Sequence, residues 1–300
     1  MGFRRTGWII AALITAGVVG ATVAYAAPGH ESSTVDSRAD GELRYFGYFG
    51  ARMMADTGNH LPEVAGRSNL NHVNISDYDR YAPEVLDDCA PASCAVYTGF
   101  EMFAECDGEN SPNCHLYPDY RERWLRLAEA VRPKLDKVAA FYLLDEPYHH
   151  GAKVADVATA ARTIKETFPD AKVMLVEAGY KIASIEVPAE VDWIGFDDYC
   201  KSPAEVESIL GALEERTRPE QGLFLFPQAA PLRMCGSLPG HTTDTELAAL
   251  QHEYHAIAKR HPRVIGLMTF GFWVEGTAPT QLPETFAAHQ RIAGEIIGGR

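Results

Sequence analysis

The amino-acid sequence predicts an α/β fold of the (β/α)8 type, a TIM barrel. Eight apolar, β-prone segments alternate with helical patterns over residues 42–300, in the number and length expected of such a barrel. Segments such as 138–144 and 222–226 are almost continuously hydrophobic, which indicates strands buried on both faces of a parallel sheet. The alternative, a doubly wound open sheet, lacks the glycine-rich phosphate loop after its first strand.

The predicted strands and helices follow from these patterns in chain order. Five helices are predicted from apolar residues at helical spacing, and two have clear N-terminal signals, Ser202-Pro203 and Thr243 with Glu246. The segments after the first, second and fifth strands are less clearly helical. The predicted strands are 43–49, 69–75, 95–103, 138–144, 172–176, 192–196, 222–227 and 264–270, and the predicted helices are 120–137, 152–167, 203–217, 243–261 and 285–297.

The N-terminus has the features of an export signal. Arg4 and Arg5 precede an uncharged apolar run, and Ala24-Tyr25-Ala26 matches a small-x-small cleavage site. We therefore expect a signal peptide at 1–26, a flexible lead-in at 27–41 and one barrel domain at 42–300, in a protein that is secreted or extracytoplasmic. An uncleaved membrane anchor is the alternative. After cleavage we expect no membrane association.

All six cysteines follow the predicted signal peptide. An even number of cysteines in an exported chain favours disulfides, and pairing of neighbours gives Cys89–Cys94, Cys106–Cys114 and Cys200–Cys235. A cysteine metal site is the alternative, but the chain has no Cys-x-x-Cys pair.

The charge balance excludes some partners. The chain has 27 basic and 41 acidic residues, a net charge of −14 that becomes −16 when the two arginines of 1–26 are removed. Binding to duplex nucleic acid or to an anionic membrane surface requires clustered basic residues. We expect neither partner, and we expect a monomer.

Polar side chains at the ends of the predicted strands mark the candidate site, because barrel active sites lie where strands run into βα loops. Carboxylates and aromatic rings dominate, with few cations, which suits a neutral polyhydroxylated ligand better than a phosphorylated one. Adjacent acids on a strand face opposite sides, so we expect one of each pair in the mouth. The candidates are Tyr48, His72, Asn74, Glu101, Glu105, Asp145, Glu146, Glu177, Asp197, Asp198, Tyr199, Gln228 and Trp273.

The segment Phe141-Tyr-Leu-Leu-Asp145-Glu146-Pro147 resembles the end of strand four in clan A glycoside hydrolases. There an Asn-Glu-Pro segment is common and its Glu is the acid/base. Trp273, after the eighth strand, resembles the substrate-stacking tryptophan of that clan. The resemblance implies a (β/α)8 barrel that cleaves glycosidic bonds with a pair of carboxyl groups.

Two positions depart from the clan pattern. Asp145 stands in place of the usual Asn. Gln228 ends the seventh strand, where clan members carry the nucleophilic Glu. The second carboxylate would then come from Asp198, or failing that from Glu177, and a wider separation from Glu146 would favour inversion.

We therefore predict an exported hydrolase of poly- or oligosaccharides that needs no cofactor and no metal. Glu146 is the predicted general acid, and Asp198 or Glu177 activates water or attacks. The predicted sugar-binding residues are Tyr48, Asn74, Asp145, Asp197, Tyr199, Gln228 and Trp273. A non-catalytic carbohydrate-binding barrel is one alternative. A metal-dependent hydrolase or deacetylase is another, with His72, His149 and His150 as the available ligands, although exposure of His149 and His150 in a loop is the simpler interpretation.

Overall fold

The computed structural model describes residues 42–53, 58–76, 83–89, 91–106, 112–274 and 276–298. The predicted signal peptide, 1–26, and the predicted lead-in, 27–41, lie outside the described residues. Both remain predictions.

Eight parallel strands form the barrel predicted from the sequence, in the order β1-β10-β9-β8-β7-β6-β3-β2. Their ends agree with the predicted ones to within a few residues, except at the third strand. A separate antiparallel pair, β4 and β5, follows that strand. The strands are β1 Tyr45–Tyr48, β2 Leu70–Asn74, β3 Ser93–Tyr97, β4 Phe103–Ala104, β5 His115–Leu116, β6 Val138–Asp145, β7 Lys172–Ala178, β8 Trp193–Asp197, β9 Gly222–Leu225 and β10 Val264–Thr269.

Strands β1 and β2 meet along a seam that closes the barrel partly through side chains. The Asn69 side chain accepts a hydrogen bond from the Phe46 N–H at 2.9 Å and donates one to the Arg44 carbonyl at 2.8 Å. The Asn69 N–H in turn donates to the Phe46 carbonyl at 2.9 Å. At Gly47 an added Cβ would lie 1.4 Å from the Leu70 carbonyl oxygen, so this close approach requires glycine.

The helices cover the outside of the barrel. The predicted N-caps start α5 at Ser202 and α6 at Thr243. Both form capping boxes, with Glu205 and with Glu246, and the second of these was predicted. Short or 3-10 segments replace regular helices after the first, second and fifth barrel strands. The α-helices are α1 Leu61–Val64, α2 Gly99–Met102, α3 Tyr120–Val131, α4 Val154–Thr167, α5 Pro203–Arg216, α6 Asp244–Arg260 and α7 Pro283–Gly298.

Two predicted elements end earlier than expected. The third strand stops at Tyr97, because the Thr98 hydroxyl donates hydrogen bonds to the carbonyls of Tyr142 and Leu143. The chain then turns into α2. This places Glu101 on a buried helix rather than at a strand end. The helix predicted to reach 137 is α-helical only to Val131, and a 3-10 segment follows because proline at 133 lacks an N–H.

The core has two layers. Inside the barrel, Tyr45 packs on Trp193 and Phe224 with ring centroids 5.0 and 6.0 Å away. Outside, Phe141 of β6 contacts Trp124 and Phe168 beneath α3 and α4. Among the described residues, no helix combines the length and apolarity needed to cross a membrane.

The six cysteines form the three predicted disulfides, Cys89–Cys94, Cys106–Cys114 and Cys200–Cys235. The first two close short loops. The third joins the loop after β8 to the loop after β9, directly beside the barrel mouth.

Candidate active site

A cavity of about 190 Å³ lies at the carboxyl ends of β1, β2, β3 and β6. Both ring nitrogens of His72 and both amide atoms of Asn74 lie in this region, buried and without a hydrogen-bond partner among the described residues. Burial lowers the pKa of His72 to about 3, so its imidazole is neutral at ordinary pH. The cavity is lined by Phe49, Met53, His72, Asn74, Tyr97, Phe100, Cys106, Asp145 and His150.

A cluster of three carboxyl groups adjoins the cavity. Glu146 has a left-handed backbone, with φ of +45°, and its N–H donates to the Val176 carbonyl at 2.9 Å. The carboxyl groups of Glu146 and Asp197 are hydrogen-bonded to each other. Asp145 accepts a 2.5 Å hydrogen bond from the Tyr142 hydroxyl and lines the cavity. Of the adjacent pair, Asp145 lines the cavity, whereas Glu146 contacts Asp197.

The Glu146–Asp197 pair is electrostatically strained. Burial raises the pKa of Asp197 well above its usual range, and the nearby charges of Asp145 and Glu146 raise it further. Burial and the charge of Asp198 also raise the pKa of Glu146, while its hydrogen bond from Asp197 acts in the opposite direction. Two close carboxyl groups oppose each other's ionisation, which favours the protonated form of one of them.

Glu177 lies beside the cluster but is fully buried. Its carboxylate accepts hydrogen bonds from the N–H groups of Tyr148 at 2.7 Å, His149 at 3.0 Å and Ala178 at 2.9 Å. Burial raises its pKa to about 7, against the opposing effect of these three donors. The side chain holds the loop after β6 and has no surface open to the mouth.

Asp198 lies close enough to Glu146 for its charge to raise the pKa of that carboxyl group. It packs on Gly179, where an added Cβ would lie 2.6 Å from the Asp198 Cβ. Its nearest cation is Lys201, with Nζ 3.9 Å from Oδ1. Burial raises the pKa of Asp198, and Lys201 partly offsets this. The hydrogen-bonded partner of Glu146 is therefore Asp197 rather than Asp198.

The predicted aromatic residues Tyr48, Tyr199 and Trp273 take three different positions. Tyr48 is buried beneath α7, with its ring centroid 5.5 Å from that of His289, and is not brought to the mouth. Tyr199 is hydrogen-bonded to Asp197 and stacks on Phe270 at 4.7 Å.

Trp273 lies at the rim of the barrel, on the side of α1. One face stacks on His60 at 4.7 Å, and its Nε1–H donates to Glu63 at 3.2 Å. Its backbone is left-handed, with φ of +66°. The face against His60 is therefore already covered by the protein.

Gln228 is buried, and both its amide nitrogen and its amide oxygen are hydrogen-bonded to the protein. Nε2 donates to the carbonyls of Ala230 at 2.9 Å and His241 at 3.2 Å. Oε1 accepts from the Cys200 N–H at 3.4 Å. The structure thus places Gln228 under the Cys200–Cys235 disulfide, where it ties two loops together.

His149 and His150 lie closer to Glu146 than the sequence indicated. One ligand-type atom from each of these three residues lies within 4.8 Å of the others. No other group of three or more His, Cys, Asp or Glu side chains converges in this way in the described portion of the chain. The three residues could hold a metal ion.

Sequence reasoning missed Phe49, Tyr97 and Tyr142. Phe49 stacks on His72 at 4.3 Å, and Tyr97 and Tyr142 contact the same imidazole at 5.7 and 5.2 Å. The period-2 alternation of strands carries a signal for these residues, because interior positions of β1 include 45, 47 and 49. Polarity at the strand end drew attention to Tyr48 instead.

No family sequence model matches the chain, and no curated protein matches it. Solved structures do. A thermostable mutant of a xylanase from Cellvibrio japonicus aligns with a TM-score of 0.55 at 12% identity, over 87% of this chain and 99% of that chain. The family 113 β-mannanase of Alicyclobacillus acidocaldarius aligns with a TM-score of 0.57 at 11% identity, over 85% of this chain and 99% of that one.

A β-D-glucuronidase of Dictyoglomus thermophilum aligns with a TM-score of 0.54 at 13% identity, over 77% of this chain. This chain spans only 44% of the length of that enzyme. At such identities the likeness concerns the fold. The chain therefore has the same (β/α)8-barrel architecture as these enzymes, the fold that the resemblance at Asp145-Glu146-Pro147 implied.

Proposed function

We propose that this protein is an exported glycoside hydrolase of poly- or oligosaccharides, with Glu146 as its general acid. The observation that carries the proposal is the hydrogen-bonded carboxyl pair of Glu146 and Asp197 beside a cavity in the barrel mouth. A shared proton keeps an acid available near neutral pH, where isolated carboxyl groups have lost theirs.

In this proposal Asp197 acts through Glu146. A carboxyl group hydrogen-bonded to the acid is closer than the roughly 5–5.5 Å that separates an acid from a nucleophile in retaining enzymes. Asp197 is thus too close to attack the opposite face of the sugar and instead keeps the proton on the pair. Asp198 and Glu177, the two partners inferred from sequence, are disfavoured because Asp198 faces Gly179 and Glu177 is fully buried.

The cavity supplies the means to bind a neutral sugar. His72 and Asn74 offer buried donors and acceptors that have no protein partner among the described residues. Such groups gain most from a ligand hydroxyl, since an unpaired buried polar group is costly. Phe49 and Tyr97 provide apolar surface for sugar C–H groups, and Asp145 is the carboxylate facing the cavity.

Export is part of the proposal. Disulfides persist in oxidising compartments, and the three pairs agree with the predicted signal peptide. We further propose that the protein is a monomer, which size-exclusion chromatography with light scattering tests.

The direct test replaces Glu146 with Gln and measures sugar release from mannans, xylans, glucans and uronic-acid polymers. We expect a loss of roughly 10²–10⁴ in kcat/KM on whichever polymer the wild type hydrolyses, the usual contribution of general acid catalysis. Glu122→Gln, an exposed position on α3, is the matched control and should retain activity. Equal activity of Glu146→Gln and wild type would remove Glu146 from the mechanism.

A non-catalytic carbohydrate-binding barrel is the second candidate. Gln228 favours it, since the end of β9 offers a buried amide bonded to the protein where a nucleophile would stand. In that case the wild type binds a polysaccharide without turnover, and Glu146→Gln binds it equally well.

A further inference from the structure

The loop after β6 brings two histidines and a glutamate to one point. Glu146, His149 and His150 each offer one ligand atom, and these atoms lie within 4.8 Å of one another. His149 Nε2 is 4.0 Å from Glu146 Oε2. The backbone makes a single helical turn here, because the His150 N–H donates to the Glu146 carbonyl at 3.1 Å. The three side chains therefore sit on one short, closed turn.

This turn is fixed from several sides. Glu177 accepts the N–H groups of Tyr148 and His149, and the Cys114 N–H donates to the His150 carbonyl at 2.9 Å. Gly151 follows with φ of +83°, and an added Cβ there would lie 2.0 Å from the Pro112 carbonyl oxygen. The backbone of the turn that carries both histidines is thus held in place before any ligand arrives.

His149 also has the outer hydrogen bond typical of a ligating histidine. Its Nδ1 is hydrogen-bonded to the Tyr180 hydroxyl, so Nε2 is the nitrogen directed toward Glu146. Metal-binding histidines are generally oriented in this way through their second nitrogen. Tyr180 is exposed and makes this bond from the segment after β7.

We propose that Glu146, His149 and His150 bind a divalent transition-metal ion of the Zn²⁺ type. Two imidazoles and one carboxylate suit such an ion and leave its fourth position to water, whereas Mg²⁺ and Ca²⁺ prefer oxygen ligands. Zn–ligand bonds of about 2.0–2.1 Å place tetrahedral ligands roughly 3.3 Å apart. The three ligand atoms, which lie within 4.8 Å of one another, move closer together when the ion binds.

Metal binding and acid catalysis compete for the same group. A carboxylate that coordinates a metal cannot carry the proton for a glycosidic oxygen. Zn²⁺ therefore inhibits the hydrolysis, and this consequence rests on the proposed function. Metal binding itself does not depend on it.

The test titrates Zn²⁺ into the chelator-treated full chain by calorimetry, without substrate, and follows Co²⁺ by its visible absorption. We expect one ion per chain, an intense tetrahedral Co²⁺ band, and no binding of Mg²⁺ at equal concentration. His149→Ala/His150→Ala should lose at least about 10-fold in Zn²⁺ affinity and lose the band. His252→Ala, an exposed histidine on α6, is the matched control and should bind Zn²⁺ as the wild type does.

Undiminished Zn²⁺ affinity in the double variant, or no binding by the wild type at millimolar Zn²⁺, would overturn the proposal. If the double variant unfolds, Glu146→Gln serves instead and should also weaken Zn²⁺ binding. Zinc binding without any hydrolysis would contradict only the proposed function. Hydrolysis by a protein that does not bind Zn²⁺ and is not inhibited by it would contradict only this inference.

Discussion

The Glu177 carboxylate of β7 accepts a 3.0 Å hydrogen bond from the backbone N–H of His149, on the loop that follows β6. Together with its bond to the Tyr148 N–H at 2.7 Å, this contact ties the segment after Glu146 to the neighbouring strand. Glu177 thus positions the proposed acid without touching a substrate.

The first prediction concerns Glu177→Gln. The amide keeps the size of the side chain but turns an NH₂ toward a backbone N–H, so at least one donor loses its acceptor. An unsatisfied buried donor costs about 1–3 kcal/mol in the free energy of unfolding. Chemical denaturation measures this loss, and kcat should fall more than KM rises because the acid is displaced. Glu129→Gln, exposed on α3, should change neither quantity. A Glu177→Gln protein as stable as the wild type would show that these hydrogen bonds do not hold the loop.

The second prediction compares the adjacent acids after β8. Asp197 is hydrogen-bonded to Glu146, whereas Asp198 packs on Gly179. Asp197→Asn should lower kcat at least about 10-fold with little change in KM, a part of the 10²–10⁴ typical of acid catalysis. The kcat of Asp198→Asn should stay within about 3-fold of the wild-type kcat, a smaller change than acid catalysis typically contributes. Steady-state kinetics on the same polysaccharide measures both variants. A larger loss of kcat in Asp198→Asn than in Asp197→Asn would make Asp198 the partner of Glu146.

The third prediction concerns acid stability. His289 is fully buried against Tyr48, Phe46 and Phe272, and burial lowers its pKa to about 3. Between pH 6.5 and 3 the unfolded chain binds this proton and the folded chain does not. As the pH is lowered through this range, His289 therefore decreases the free energy of unfolding by up to about 1.4 kcal/mol per pH unit.

His289→Leu should remove that part of the slope. Urea denaturation at several values between pH 4 and 7 measures it, and stability should decline less steeply toward acid in the variant. His252→Gln, at an exposed position, is the control and should preserve the wild-type slope. Parallel slopes in wild type and His289→Leu would mean that His289 does not titrate as buried histidines do.

The fourth prediction ranks two disulfides. Cys200 and Cys235 are 35 residues apart, and Cys89 and Cys94 are 5 apart. Loop-closure entropy gives about 4 kcal/mol for the longer loop and about 2 kcal/mol for the shorter. Cys200→Ser/Cys235→Ser should therefore unfold at lower denaturant than Cys89→Ser/Cys94→Ser. Equal midpoints would show that loop length does not set their contributions.

The fold was largely predictable because its signals are local. Buried parallel strands are continuously apolar, and Ser202 and Thr243 carry capping signals that depend only on residues three positions later. The third strand was overextended because Thr98 ends it through bonds to β6, a contact distant in sequence.

The site was predicted only in outline. Tyr48 was chosen at the end of β1, whereas its neighbour Phe49 lines the cavity. The catalytic roles of Glu146 and Asp198 remain predictions. Side-chain direction at a strand end depends on bulges and twist that sequence does not reveal. The register of β6 shifts between Tyr142 and Asp145, directly before the two adjacent acids.

The seam between β1 and β2 has a consequence for how the ring of strands is completed. Asn69 gives its side-chain oxygen to the Phe46 N–H, and Asn71 gives its own to the Tyr48 N–H. The other neighbouring strands of the barrel pair through backbone hydrogen bonds, which do not depend on the side chain. Between β1 and β2 two asparagine carboxamides add to the main-chain bond from the Asn69 N–H to the Phe46 carbonyl, so closure of the barrel depends on the identity of these two residues.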